Sequence, residues 1–218
     1  MRATRMAGRQ MRSRLLDEAA RLFKEQGLAA VSIAAIAAAA DAFPSQITYY
    51  FRTKDDLVSS ISEEYTEENT RIHKDFRVIS LYDFLAKNRL LFEYRINYQC
   101  VMLSMVHLIE RNPQIAKRYE KVKSQRLSGL ERDMDILIEN GFLNLEQEDR
   151  WLLVAINSLL SRFWMSEAAL YVKRSDIRTQ IGYYLKVLAL LFKPYATKDG
   201  VDDIERFIGE LNNDALPA

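Results

Sequence analysis

The 218-residue chain contains one cysteine, Cys100, so it has no internal disulfide framework. Such thiol usage fits a reducing cytoplasm, and Cys100 reads as a buried, inert side chain rather than a redox switch. Glycine and proline are scarce, at seven and four residues. That is too few turn formers for an all-β fold. No apolar run of about 18 residues is free of charge, which argues against a membrane span. The arginine-rich N-terminus lacks the apolar stretch of a secretory signal. The two histidines, His73 and His107, do not have metal-ligand spacing with each other or with Cys100. Glycine-rich phosphate or dinucleotide loops are absent. Acidic pairs such as Asp55-Asp56 and Asp202-Asp203 read as caps or exposed charge. No enzyme activity, metal or cofactor is therefore expected.

What is present is apolar material in helical register. Hydrophobic residues make up 49% of the chain, enough for a small and a larger helical core. The net charge of +1 says little, but its distribution says more. Residues 1–54 hold nine lysines and arginines against four acids, and the remainder holds 22 against 26. The basic end suits a polyanionic partner. Arg2, Arg5, Arg9, Arg12 and Arg14 stand in a segment without acids, expected to be disordered on its own. Such an arm either tracks phosphates or enters a minor groove, or it is a solvated tail.

The stretch Ser32 to Lys54 organises the chain. Ile33, Ile36, Ala37 and Ala40 share one helical face, and Ser32 stands where a hydroxyl can cap the helix. Asp41-Ala42-Phe43 interrupts the pattern, and Pro44 suits the first turn of a second helix. Ile47, Tyr50 and Phe51 form that helix's inner face, while Ser45, Gln46, Thr48 and Tyr49 give a polar, uncharged outer one. A helix of this kind can lie in a major groove and touch base edges and phosphates. A helical hairpin inside an ordinary all-α core has the same periodicity. A preceding helix, about 11–26, carries Leu15, Leu16, Ala19, Leu22 and Phe23 on one face and ends at Gly27. Thr53 and Asp56 form a capping box for a following helix with the stripe Leu57, Val58, Ile61 and Tyr65. Lys54, in its first turn, stands where a phosphate can use both the ammonium and the helix N-terminus.

These segments together resemble the DNA-binding domain of the TetR (tetracycline-repressor-like) family of bacterial transcription regulators. The residues that carry the resemblance are 15–23, Gly27, Ser32-Ile33, Ile36-Ala37, Ile47, Tyr50, Phe51, Lys54 and Leu57. The family usually has glycine in the turn and serine or threonine at the start of the second helix, where this chain has Asp41 and Phe43. It usually has tyrosine at the position of Thr48. The resemblance implies a DNA-binding domain over 1–54 and a helical effector-binding and dimerisation domain over 55–218. The expected DNA contacts are base or phosphate contacts from Ser45, Gln46, Thr48 and Tyr49, with Ser32, Lys54 and the arginine arm, including Arg9 and Arg12, positioning the backbone; the phosphate role of Lys54 is what the resemblance implies. The partners are then a double-stranded DNA operator, a small organic effector and a second copy of the chain, with no membrane.

Beyond Ser80 the expected helices are about 81–110, 113–140, 146–171 and 175–192, with an amphipathic tail at 201–211. The first is apolar nearly all round after Leu90 and embeds Tyr94, Tyr98, Met102, Met105 and His107. With Trp164, these are the candidate lining of a pocket for a largely apolar effector. The same pattern also fits an ordinary filled core. The helices 146–171 and 175–192 are apolar on more than one face. In the resembled family such helices pair across a two-fold axis, which implies a homodimer. An adaptor of the same architecture that does not use DNA is the alternative.

Overall fold

The computed structural model describes the backbone of residues 2–214 and the side chains of residues 6 and 8–213. Among these residues the elements are α1 (Arg2–Gln26), α2 (Ile33–Ala39), α3 (Pro44–Tyr50), α4 (Lys54–Asp75), α5 (Leu81–Arg95), α6 (Gln99–Leu103), α7 (Met105–Arg111), α8 (Pro113–Glu139), α9 (Gln147–Ala168), α10 (Ile181–Phe192) and α11 (Lys198–Asp214). Short 3-10 turns cover Ile96–Tyr98, Arg174–Gln180 and Lys193–Tyr195. The all-α fold read from the sequence is the fold observed.

Three segments differ from expectation. The N-terminal segment is not a disordered arm: α1 begins at Arg2. Its arginines, methionines and glutamine are good helix formers, and the segment contains no proline to stop the helix growing backward. The helix expected over 81–110 is divided into α5, a 3-10 turn, α6 and α7. The two sides of the break are anchored differently. Arg95 donates to the carbonyl of Ser161, whereas the Gln99 amide donates to the carbonyl of Lys24 at 3.0 Å. The helix expected from Ser175 is 3-10 as far as Gln180, with Thr179 Oγ1 donating to the Asp176 carbonyl at 2.6 Å. Such local side-chain bonds compete with the helical ladder.

Contacts gather the chain into two compact units, 1–67 with 97–119, and 68–96 with 120–218. Helices α4 and α8 each run from one unit into the other. Residues 97–119, which the sequence division places in the larger domain, pack with the N-terminal helices.

The first unit is held by one apolar core. Leu15, Leu16, Ala19 and Phe23 of α1 meet Ile36, Ala37, Ile47 and Phe51, and Leu57 and Ile61 of α4 close the far side. Cys100, Val101, Leu108 and Ile115 join the same core. Each large side chain buried here contributes about 1.5–3 kcal/mol relative to exposure.

In the second unit α5, α9, α10 and α11 pack through aromatic contacts. Phe84 meets Phe192 edge-on at 5.3 Å, and Phe92 stacks on Trp164 at 5.0 Å. Helix α11 is the amphipathic tail of the sequence reading, and it docks. Ile204 and Phe207 are buried, and Asp203 accepts from the Tyr82 N–H at 2.9 Å. That places a carboxylate at the positive end of α5.

Candidate nucleic-acid interface

Helices α2 and α3 are seven residues each, and their ends are fixed by specific bonds. Ser32 Oγ accepts from Ala35 N at 3.1 Å, satisfying one of the free N–H groups at the start of α2. Helix α2 ends in a Schellman turn. Ala42 N donates to the Ala37 carbonyl at 2.9 Å and Asp41 N to the Ala38 carbonyl at 3.2 Å. Such a turn needs a left-handed residue, and Asp41 supplies it with φ 49°. Phe43 precedes α3 in extended backbone, and Pro44 opens the helix. Gln46 Oε1 turns back to accept from Phe43 N at 2.8 Å, so its carbonyl caps the helix that carries it. Its NH2 group is the donor that remains for a base edge.

Ile47 is fully buried and fixes the rotation of α3. The outer face then presents Ser45, Thr48 and Tyr49, with Gln46 half-buried. Tyr49 is 82% exposed and Phe43, at the helix start, is 74% exposed. Tyr49 meets the half-buried Tyr50 ring edge-on at 5.0 Å, which limits how it can move. Thr48 Oγ1 donates to the Ser45 carbonyl at 3.1 Å, so toward a ligand it offers its methyl group and an acceptor. The face is uncharged throughout. Its selectivity can come only from hydrogen bonds, shape and apolar contact with thymine methyl groups.

The cations of the unit are arranged unequally. Lys54 is turned inward: Nζ donates to the carbonyl of Val31 at 2.7 Å and to that of Leu28, and lies 5.6 Å from the centre of the Phe23 ring. Burial lowers the pKa of its ammonium, with Asp55 opposing. Arg12 is exposed, donates to Ser60 Oγ at 3.2 Å and lies 5.1 Å over the Phe51 ring. Arg9 is exposed on α1. The capping box at the start of α4 is present in both directions, at 3.0 and 3.1 Å.

The six candidate effector residues fall in both units. Tyr98, Met102, Met105 and His107 belong to the first and Tyr94 and Trp164 to the second. Met102 is buried and Tyr98 contacts Tyr65 at 5.5 Å, whereas His107 is exposed. What the sequence reading missed is polar and interior. Asn69 and His73 continue the four-residue spacing of Ile61 and Tyr65 along α4, and Asn157 follows Leu153 on α9. Polar residues at core positions were the available signal.

Two short helices, a left-handed turn and an exposed polar face on the second helix define a helix-turn-helix DNA-binding protein. The family model described as bacterial regulatory proteins, tetR family, matches residues 15–61. A second TetR model, described as bacterial transcriptional repressor, matches residues 63–204. The chain belongs to the TetR family of bacterial transcription regulators.

No curated protein matches the chain at a significant level. Among solved structures, a TetR-family regulator from Marinobacter aquaeolei VT8 has a TM-score of 0.80 at 20% identity, over 92% of this chain and 98% of that one. A TetR-family regulator from Pectobacterium atrosepticum has a TM-score of 0.61 at 20% identity, over 89% and 98%. The TetR-family protein CprB from S. coelicolor A3(2) has a TM-score of 0.64 at 13% identity, over 96% and 100%. At these identities the likeness is one of fold. Among the described residues, no helix is long and apolar enough to cross a membrane, and no cluster of ligating side chains could hold a metal.

Proposed function

We propose that the chain is a ligand-responsive, dimeric repressor, acting in the cytoplasm and released from a palindromic DNA operator by a small, largely apolar organic molecule. The observation that carries this reading is the exposed, uncharged polar face of α3, fixed in rotation by Ile47. Ser45, Thr48, Tyr49 and the Gln46 NH2 group read bases and phosphates. Ser32, Arg9 and Arg12 position the backbone. Lys54 acts by holding the segment between α1 and α2 in place, since its ammonium is bonded to two carbonyls there. Residues 1–54 thus supply DNA contact, and 55–218 the effector site and the dimer contact.

Dimerisation is supported by the outward faces of α9 and α10. Leu159, Tyr183, Val187 and Leu190 are exposed there. They accompany an apolar groove of about 340 Å³ whose only charged lining residue is Glu167. Two copies joined through these helices would present two α3 helices to successive major grooves, about 34–36 Å apart. Release requires an effector that favours the other spacing, by ~1–3 kcal/mol.

Selection of bound duplexes from a random pool tests the reading. A two-fold symmetric site should be enriched, with affinity falling steeply as salt rises. Tyr49→Ala should remove preference at particular base pairs, at about 1–3 kcal/mol each. Failure to enrich any site, or binding indifferent to salt, would instead leave a helical ligand-binding protein that does not use DNA.

A further inference from the structure

Four side chains of the second unit, three of them buried and His73 half-buried, carry buried polar atoms without a hydrogen-bonding partner among the described residues. They are both amide atoms of Asn69, Nε2 of His73, Oδ1 of Asn157 and Nε1 of Trp164. Asn69 is 0%, Trp164 1% and Asn157 5% exposed. Each such atom gives up its hydration and gains no bond in return, so a group of them needs a reason.

The four converge on one interior. Asn69 and His73 stand one turn apart on α4. His73 lies within the field of Arg95, Lys87 and Arg126, from α5 and α8. Arg95 donates to the carbonyl of Ser161, one turn beyond Asn157 on α9. It also lies 6.0 Å over the Phe92 ring, which stacks on Trp164. Lys87 is matched by Asp133 at 2.7 Å.

The chemistry of the walls is mainly that of donors. The guanidinium groups, the Asn69 NH2 and the Trp164 N–H can only donate. The two asparagine Oδ1 atoms accept. Guanidinium groups match carboxylates in a bidentate geometry. Resting on the regulator reading above, we propose that this interior is the effector site and that the effector is a hydroxy acid. A carboxylate is held by Arg126 and the Asn69 NH2, a hydroxyl is accepted by Asn157, and an apolar body lies against the Phe92–Trp164 stack. The effector is then largely apolar only in its body.

The test is isothermal titration calorimetry with matched pairs, 3-(4-hydroxyphenyl)propionate and 10-hydroxydecanoate against their primary amides, alongside release of selected operator DNA. At least one acid should bind tenfold or more tightly than its amide and release the DNA. Arg126→Gln should weaken the acid at least tenfold and leave the amide unchanged, and Arg126→Lys should recover part of the loss. Should Arg126→Gln fail to fold, the comparison of acid with amide on the unmodified protein decides. Amides that bind as tightly as the acids and release the DNA would overturn the anionic class and leave ligand response standing. If neither series binds while the operator is still held, the interior is a water-filled polar core and the site assignment falls. Loss of operator binding altogether would count against the regulator reading, not against acid preference seen by calorimetry.

Discussion

In the first unit the buried polar side chains among the described residues are Ser59, Ser62 and Gln99, and each charged side chain retains contact with solvent. The second unit buries Asn69, Lys87, Asn88, Arg95, Asn157 and Ser161. One unit therefore turns its polar chemistry outward and keeps an apolar interior, and the other places it inside. On the function proposed above, the difference follows from what each unit meets. A duplex is met at a surface, so the first unit can be stabilised by ordinary packing while α3 remains free to vary. On the same reading a small molecule is met in the interior of the second unit, and polar groups that recognise it destabilise the fold that holds them. Variants that treat the two interiors alike should break this contrast.

The largest effect is expected at the Lys87–Asp133 pair, whose side chains are 4% and 13% exposed. Burial pushes the Asp133 carboxyl above its usual range, and Lys87 only partly opposes it. Attraction within the pair has not overcome the loss of water, as is common for interior ion pairs. Asp133→Ala leaves a buried ammonium without its carboxylate and should cost about 3–5 kcal/mol in urea unfolding. Replacing both partners, Lys87→Met with Asp133→Leu, should recover most of that loss. A single-variant cost below about 1 kcal/mol would mean the pair behaves as a surface one, and the contrast between the units would weaken.

His73 gives the next effect, and it depends on pH. Burial first, then the charges of Arg95, Lys87 and Arg126, lower its pKa from 6.5 to about 2. The unfolded chain takes up a proton below the ordinary value and the folded chain does not. Stability from this residue is therefore complete above about pH 6.5 and is lost as pH falls toward 2. The slope approaches 1.4 kcal/mol per unit, so about 2–3 kcal/mol should disappear between roughly pH 6 and 4. Denaturant titrations over that range, compared with His73→Gln, should show the slope removed in the variant. Equal slopes would mean that the His73 imidazole takes up its proton in the folded chain as readily as in the unfolded one.

The apolar half of this contrast is legible in the order of the residues, and the polar half is not. Leu15, Phe23, Ile36, Ile47 and Phe51 announce a helix-turn-helix core because helical periodicity records which faces are buried. The family resemblance covers the same stretch. Periodicity puts Asn69 and Asn157 on buried stripes, but it does not say whether a polar side chain there turns inward or reaches solvent, so neither stands out. It also does not record where an ammonium turns, which is why Lys54 reads from the sequence as a surface cation and stands in the structure bonded to two carbonyls. The break at Ile96–Tyr98 escapes for a related reason. The run from Leu90 is apolar in both units, and what divides it is the pair of distant anchors at Ser161 and Lys24.

The smallest effect concerns a feature the two units share. Helix α8 ends as α2 does, in a Schellman turn, with Phe142 N donating to the Leu137 carbonyl at 2.9 Å and Gly141 N to the Ile138 carbonyl at 3.0 Å. The left-handed position is glycine there, φ 77°, and Asp41 in the first unit, φ 49°. Glycine adopts this conformation without a Cβ penalty, whereas aspartate tolerates it only in part. The Asp41 carboxylate offers little in return: its nearest cation, Arg14, is 3.8 Å away and the aspartate side chain is 93% exposed. Asp41→Gly should therefore stabilise the first unit by about 0.5–1 kcal/mol in thermal or urea unfolding, the greater freedom of glycine in the unfolded chain limiting the gain. Gly141→Ala should lose about 1 kcal/mol by the same strain in reverse. Removing an acid from the turn that precedes α3 should also raise affinity for all duplexes alike, with base preference unchanged. If Asp41→Gly instead altered which sequences are selected, Asp41 would be reading bases itself, and the turn would belong to the recognition surface rather than to its support.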